Sequence, residues 1–444
     1  MPQNTPAPTT PPPSNSGTNR KSDIVNGKSS IPTGFKPTKL GWLPEEWEVV
    51  PIGQIVNLLS GYAFSSGNYS DKGIRLLRGA NVKRGDISWD DSVTKFWPQN
   101  KIGNKLEKYL LAENDLIIAM DGSLVGRSYG IIKAHDLPCL LLQRVARIRS
   151  KMLSTGFLKA LVGSLLFVNY CDRVKTVTAI PHISSKDIKN FKIPLPPLPE
   201  QHRIARCLTT WDRAITTTRT LLDQLRSRKR GLMQRLLTGE VRLPGFSEEW
   251  EEVKMNDLFT EIKERNDGDD HEPMTVSSTV GLISQREKFD RVIAGKSLSK
   301  YILIKKGDFT YNKGNSKTYP MGCVFPLEEF ESAVVPFVYI SFRSKVELDK
   351  AFYKYWFENH GLDRQLKGII SSGARGDGLL NVNKRNFFIL KLPFPPIKEQ
   401  TAIARVLTSA DREIELYQQK LTALETQKRG LMQQLLTGQK RLLE

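Results

Sequence analysis

The sequence predicts an α+β chain in which two pseudo-repeated α/β domains alternate with two long helices, the helices pairing as an antiparallel coiled coil. Three observations carry this. At 444 residues the chain is too long for one compact core. The segment Lys192–Leu243 returns without a gap as Lys391–Leu442: Glu200 and Glu399, like Gly231 and Gly430, stand 199 positions apart. About half of the aligned positions are identical, and chance similarity does not hold register this long, so the chain carries an internal duplication. Within each copy the apolar residues step by four and three, the signature of a coiled-coil seam.

The elements follow in order. Residues 1–33 form a Pro/Thr/Ser/Asn-rich tail, too poor in apolar residues to fold and expected to be disordered. Residues 40–192 and 243–391 are the first and second variable domains, and residues 193–242 and 392–444 the first and second long helices. A fainter echo opens each half of the chain, Leu43-Pro44-Glu45-Glu46-Trp47-Glu48 against Phe246-Ser247-Glu248-Glu249-Trp250-Glu251. Inside the domains, Asn114–Ile118 followed by Gly122-Ser123 can be laid against Gly307–Tyr311 followed by Asn315-Ser316.

Each repeated segment opens with a Pro-rich stop, Pro194–Pro199 or Pro393–Pro396. Glu200 and Glu399 then fall in the first helical turn, where the helix dipole favours negative charge. The seam of the first copy is Ile204, Leu208, Trp211, Ile215, Leu222, Leu225, Leu232 and Leu236. That of the second is Ile403, Leu407, Ala410, Ile414, Tyr417, Leu421, Leu424, Leu431 and Leu435. Gly239 and Gly438 follow the last turn, as a C-terminal glycine should. Each helix would be roughly 57 Å long at a rise of about 1.5 Å per residue. One apolar stripe of that length needs a partner, and the other copy is the obvious one; packing on the helix's own neighbouring domain is the alternative. Gly231 and Gly430 interrupt good helical sequence at a cost of about 1 kcal/mol against alanine. They point to close backbone approach, a local kink or a relic of duplication.

The variable domains mix short β-like runs with turn signals. Leu116–Ala119, Gly130–Ile132 and Val334–Ile340 read as strands, and Phe157–Cys171 and Asp349–His360 as helices.

Charge narrows the function. Sixty-six Lys and Arg against 47 Asp and Glu leave a net charge of +19, and a polyanionic partner, nucleic acid, is the economical explanation. The longest apolar stretch, Leu161–Val168, is far short of a membrane span, and the N-terminal residues lack the apolar core of a secretory signal. Cys139, Cys171, Cys207 and Cys323 form no CxxC pair and read as reduced, mostly buried thiols of a cytoplasmic protein. Loops of the variable domains offer cations for phosphates and amide, hydroxyl or guanidinium groups for base edges. In the first domain these are Arg78, Asn81, Lys83, Arg84, Ser123, Arg127, Ser128, Lys175, Thr178 and His182. In the second they are Asn312, Lys313, Asn315, Ser316, Lys317, Tyr319, Arg375, Lys384 and Arg385. Taken singly, each is better explained by a solvated surface; the clusters around Arg127 and Lys313–Tyr319 stand out, because both fall in Gly-containing loops at equivalent places in the repeat.

Catalytic signatures are missing. Ala294-Gly295-Lys296-Ser297 resembles the end of a phosphate-binding loop, but Asp290 stands where that loop needs glycine. The proline pairs lack the flanking amide and aromatic of an adenine methyltransferase, no GxGxxG-type loop is present, and His271-Glu272 lies in an acidic loop without further metal ligands. No cofactor and no metal site are expected in this chain.

The doubled Pro-x-Pro-Pro-x-x-Glu-Gln of 194–201 and 393–400, Ile-Ala-Arg of 204–206 and 403–405, and Leu-Leu-Thr-Gly of 236–239 and 435–438 resemble the specificity subunit of type I restriction–modification systems. Gly61-Tyr62-Ala63-Phe64, Leu77–Val82, Tyr311-Asn312 and Ser316 are similar to that family too. The resemblance implies two target-recognition domains, each reading one half of a split, asymmetric site on double-stranded DNA. The helices would set the spacing and dock two methyltransferase subunits, which bind S-adenosylmethionine and methylate adenine, with a restriction/translocase subunit able to join. The chain itself would be non-catalytic. The Pro/Thr-rich tail departs from the family pattern. A stand-alone two-domain DNA-binding regulator shares the charge and the readers but leaves the outward faces of the helices unexplained, and a protein-only scaffold leaves the charge unexplained.

Overall fold

The computed structural model describes residues 33–443 apart from 267, 269, 278–279, 294, 315 and 371–378, with Lys296 by its backbone alone. The expected tail therefore lies, but for its last residue, outside the described residues. Contacts divide the chain into two compact units, residues 1–210 with 428–444 and residues 211–427. Each unit thus holds one variable domain, the start of the helix that follows it and the end of the other long helix.

In the first unit a four-stranded antiparallel sheet places Asn57–Ser60, Val145–Arg149, Leu116–Ala119 and Tyr129–Ile131 side by side. Leu116–Ala119 is buried at all four positions, so the period-2 pattern serves two cores at once. Leu116 and Ile118 pack against Phe157, Leu161 and Phe167, whereas Ile117 and Ala119 pack against Leu77 and Leu141. A second sheet orders Lys95–Trp97, Ile74–Leu77 and Cys139–Leu141, the last two running parallel. The helix expected over Phe157–Cys171 is two, Thr155–Val162 and Leu165–Val174. Tyr129 crosses so close that a Cβ on Gly163 would lie 2.2 Å from its hydroxyl oxygen, and Ser164 restarts the backbone ladder by accepting the Val168 amide at 3.1 Å.

The second unit repeats the plan. Phe259–Glu261, Ile340–Ser344, Phe309–Asn312 and Cys323–Pro326 form the matching antiparallel sheet in the same order. Its core is aromatic where the first is largely aliphatic, with Phe259, Phe309, Phe342, Phe352, Tyr353 and Phe357 packed edge to face or stacked. Gly281–Ser284, Glu272–Ser277, Ser332–Val335 and Ile302–Lys305 make its second sheet, again with one parallel pair. The strand expected over Val334–Ile340 is split between the two sheets: Pro336 lacks an amide hydrogen for the ladder, and its carbonyl accepts the Tyr339 amide at 3.0 Å to close a turn. Equivalent buried carboxylates brace both domains, Asp115 taking Arg149 and Asp308 taking Arg343 at 2.6 and 2.7 Å.

The long helices span Leu198–Leu236 and Ile397–Leu436, 39 and 40 residues. Both start later than the segment boundaries at 193 and 392. Lys192–Leu195 and Lys391–Phe394 are instead short strands paired antiparallel with Glu48–Pro51 and Glu251–Lys254. Two-stranded ladders leave one edge free, so Pro194 and Pro393 sit there without an orphaned donor.

The seam residues are placed as follows. In the first unit Ile204 and Leu208 pack with Leu431, Leu435 and Leu436. In the second, Leu232 and Leu236 pack with Ile403 and Leu407, and Ile215 and Leu222 with Ile414, Tyr417, Leu421 and Leu424. Leu225 is buried, while Trp211 and Ala410 are half-buried. Arg219 bonds Glu425 and Arg226 bonds Gln418 at 3.0 Å, a descending register that makes this pairing antiparallel. A Cβ on Gly231 or Gly430 would meet nothing within 4 Å, so neither glycine serves close backbone approach.

Each unit closes with the same clasp. Glu200, 1% exposed, accepts Arg441 Nε at 2.6 Å, Arg441 Nη2 at 2.9 Å and Trp47 Nε1 at 3.1 Å. Glu399, 0% exposed, accepts Arg242 Nε and Nη2 at 2.6 Å and Trp250 Nε1 at 2.8 Å. The segment after each long helix therefore grips the first turn of the other. The next residue, Gln201 or Gln400, donates to the Pro196 or Pro395 carbonyl and accepts the Ser154 or Asp349 amide at the start of a domain helix. No described helix is long and apolar enough to cross a membrane.

Candidate nucleic-acid interface

In the first domain, a cleft of about 590 Å³ opens beside the end of the main sheet. Arg78, Lys83, Arg84, Ser123 and Ser128 line it, together with Asp121, Gln143 and Arg144. Four cations against one carboxylate give it the sign that attracts a phosphate backbone.

The candidates differ in what they are free to do. Asn81 is fully buried: its side chain accepts the Arg78 amide and donates to Ser88 O, both at 3.1 Å, so it holds the turn rather than facing solvent. Ser128 is also buried, at 7% exposure. Arg78 donates to Val93 O at 3.2 Å and Lys83 to Ala80 O at 2.8 Å, while Arg84 and Ser123 are exposed.

Arg127, singled out from its loop, does not line the cleft. Its guanidinium takes both oxygens of Asp172 at 3.1 and 2.6 Å, and Lys175 joins the same carboxylate at 2.7 Å. Arg127 foremost, then Lys175, holds the Asp172 carboxyl down to about 2. The backbone explains the placement. Gly126, at φ +78°, lies so near Cys171 that a Cβ would come within 2.6 Å, which lays this loop on the helix carrying Asp172. Thr178 donates to Ile180 O at 2.7 Å, and His182 lies beside the cleft floor through its β-bridge to Asp121. The Nδ1 of His182 is buried without a hydrogen-bond partner among the described residues.

Asp121, Gln143 and Arg144 were not among the sequence candidates. The signal available was the interruption of the apolar run Cys139–Ala146 by two polar residues, which marks the turn between Cys139–Leu141 and Val145–Arg149.

In the second domain Asn312, Lys313, Ser316 and Tyr319 come together at the end of Phe309–Asn312. Asn312 Oδ1 accepts the Gly314 amide at 2.9 Å, Lys313 Nζ donates to Val382 O at 3.3 Å, and Ser316 Oγ accepts the Tyr319 amide at 3.0 Å. Tyr319 is half-buried between Phe325 and His360, and burial pushes its hydroxyl up to about 12. Lys317 and Arg385 are exposed, and Lys384 bonds Glu261 at 2.5 Å. Asn315 and Arg375 lie outside the described residues.

Comparison with known proteins follows this doubled geometry. The family described as "Type I restriction modification DNA specificity domain" matches residues 44–227 and again residues 247–426. The chain belongs to this family. Among curated members of the type I specificity family it is 42% identical over 166 residues to the EcoAI specificity subunit of Escherichia coli, covering 36% of this chain and 28% of that one. It is 32% identical over 217 residues to the MjaVIII specificity subunit of Methanocaldococcus jannaschii, covering 48% and 50%. The chain thus spans half or less of these two relatives. A longer match, 23% identical over 453 residues, covers 92% of the chain and 97% of the putative MjaX specificity subunit of the same organism. Among solved structures, the type I S subunit from M. genitalium aligns with a TM-score of 0.52 at 14% identity, covering 88% and 96%. A chain from a type I R-M system study aligns at 0.57 and 16% identity, covering 90% and 99%. These two likenesses speak for the fold alone.

Proposed function

We propose that this chain is the non-catalytic, sequence-reading component of a type I restriction–modification complex. Residues 40–192 read one half of a split DNA site and residues 243–391 the other. The two long helices set the half-site separation and dock two methyltransferase subunits, which bind S-adenosylmethionine and methylate adenine; a restriction/translocase subunit joins the same assembly. The observation that carries this reading is the duplicated architecture: the same sheet order twice, the same Glu–Arg–Trp clasp twice, and loops that differ between the copies. Two distinct readers on one duplicated frame suit a site with two unlike halves at a set distance. The cationic cleft adds the charge that a phosphate backbone requires. Such a complex works in the cytoplasm, where the DNA is.

The test is co-expression with a methyltransferase subunit of a type I system from the same source, followed by mapping of methylated adenines across the host DNA. A single split motif of fixed spacing is the expected result. Failure of the two chains to associate, with DNA binding by this chain alone, would instead favour a stand-alone regulator.

A further inference from the structure

We propose that Arg144 is a base-reading residue that recognises a guanine in the half-site of the first domain, with Asp121 as its positioning residue. The inference rests on the reading above and names the chemistry of one contact within it.

The turn carrying Arg144 is fixed from several directions. The Gln143 amide donates to Tyr62 O at 2.8 Å, the Leu142 amide to Leu77 O at 3.1 Å, and Arg144 O accepts the Met120 amide at 2.9 Å. Arg144 itself adopts φ +68°, a left-handed conformation uncommon for a residue with a side chain. The turn is thus held in a strained form at the cleft, and the arginine side chain, 59% exposed, has no core to fill.

Its guanidinium is steered rather than neutralised by packing. Nη1 donates to Asp121 Oδ2 at 3.0 Å, and Asp121 is in turn placed by the β-bridge to His182. Nε and Nη2 have no protein partner among the described residues. A carboxylate beside the guanidinium disfavours a phosphate, which would meet like charge at close range. Guanine suits the site better: its N7 and O6 are two neutral acceptors in the major groove, spaced for the remaining donors of an arginine fork. The other cations of the loops fit phosphate contact or structure instead. Arg84 is exposed without such a buttress, and Arg127 is taken up by Asp172.

The experiment uses the full chain assembled with its methyltransferase partner and measures methylation of duplexes carrying the mapped motif or one altered base pair. Arg144→Lys keeps the charge but loses the fork, and Arg144→Gly relieves the left-handed backbone while removing the side chain, so a folding defect cannot mimic the result in both. Both variants are expected to lose roughly five- to 150-fold of the preference for one G·C pair in one half-site. The other half-site stays unchanged in both, and the salt dependence stays unchanged in Arg144→Lys. Asp121→Asn is expected to relax the same pair less and to steepen the salt dependence, a change that a merely structural role would not produce. A wild-type split motif that both Arg144 variants retain at full stringency would overturn the inference and leave the proposed function standing. An even loss across all sequences would also overturn it, assigning Arg144 to the backbone. Absence of any split motif in the wild type would overturn both.

Discussion

At residues 200 and 399 the same glutamate opens a long helix, is buried, and takes both arms of an arginine and the indole of a tryptophan. The loops of the two variable domains share almost nothing by comparison. In the first, Arg78, Lys83, Arg84 and Arg144 surround an open cleft; in the second, Lys313 is drawn to the Val382 carbonyl and Tyr319 is half-buried between Phe325 and His360. The contrast separates two demands on one chain. Residues that assemble the frame must meet one another, so both copies retain the same partners. Residues that read meet something outside the chain, so nothing inside it constrains them to match.

The largest test of that contrast is to break the clasps. Removing one partner of a buried ion pair leaves an uncompensated charge and costs about 3 kcal/mol or more. Glu399→Ala should therefore lower stability by about 3 kcal/mol, read as a shift of the denaturant midpoint. Glu200→Ala should cost less, because Arg441 retains its hydrogen bond to the Glu46 carboxylate at 2.8 Å while Arg242 hydrogen-bonds no second carboxylate among the described residues, only the Glu248 backbone carbonyl. Equal and negligible losses would mean that the clasps are not what holds the frame.

Asn81→Ala sharpens the boundary between frame and reader. Loss of its two hydrogen bonds in a buried turn should destabilise the first domain by about 2 kcal/mol, while base preference in methylation by the complex carrying the folded variant stays unchanged. A clean change of base preference without loss of stability would return Asn81 to the readers.

Gly231→Ala and Gly430→Ala should each stabilise the chain by up to about 1 kcal/mol, since the added Cβ meets no neighbour. Destabilisation in thermal unfolding would show that the open space is used. The smallest effect concerns Asp172. Its folded carboxyl lies near 2, below the unfolded value of about 3.9, so its contribution is complete above that unfolded value and fades as pH falls towards 2. The stability difference between wild type and Asp172→Asn should shrink over this interval; it is modest, because the pair is partly exposed.

What was legible in the sequence follows the same division. The long helices were readable because their apolar period and their duplication are both local in sequence, and Ile204, Leu222 and Leu407 are buried as that period requires. Helix starts were misplaced by a few residues because a proline-rich segment can stop a helix or edge a two-stranded sheet, and only the partner strand at Glu48–Pro51 decides. The breaks at Gly163 and Pro336 were missed for a similar reason: one depends on Tyr129 crossing overhead, the other on which of two sheets each half joins. The candidate readers were the least legible. Arg127 and Arg144 are both arginines at turns, and nothing local says that one faces Asp172 at the base of its loop while the other lines the cleft.

The most direct test of the central claim is to exchange residues 40–192 for the corresponding domain of another family member and map methylated adenines with the methyltransferase partner present. The account predicts a motif in which one half changes while the other half and the spacing persist. A motif altered in both halves, or one left wholly unchanged, would contradict the assignment of one reader to each half of the chain.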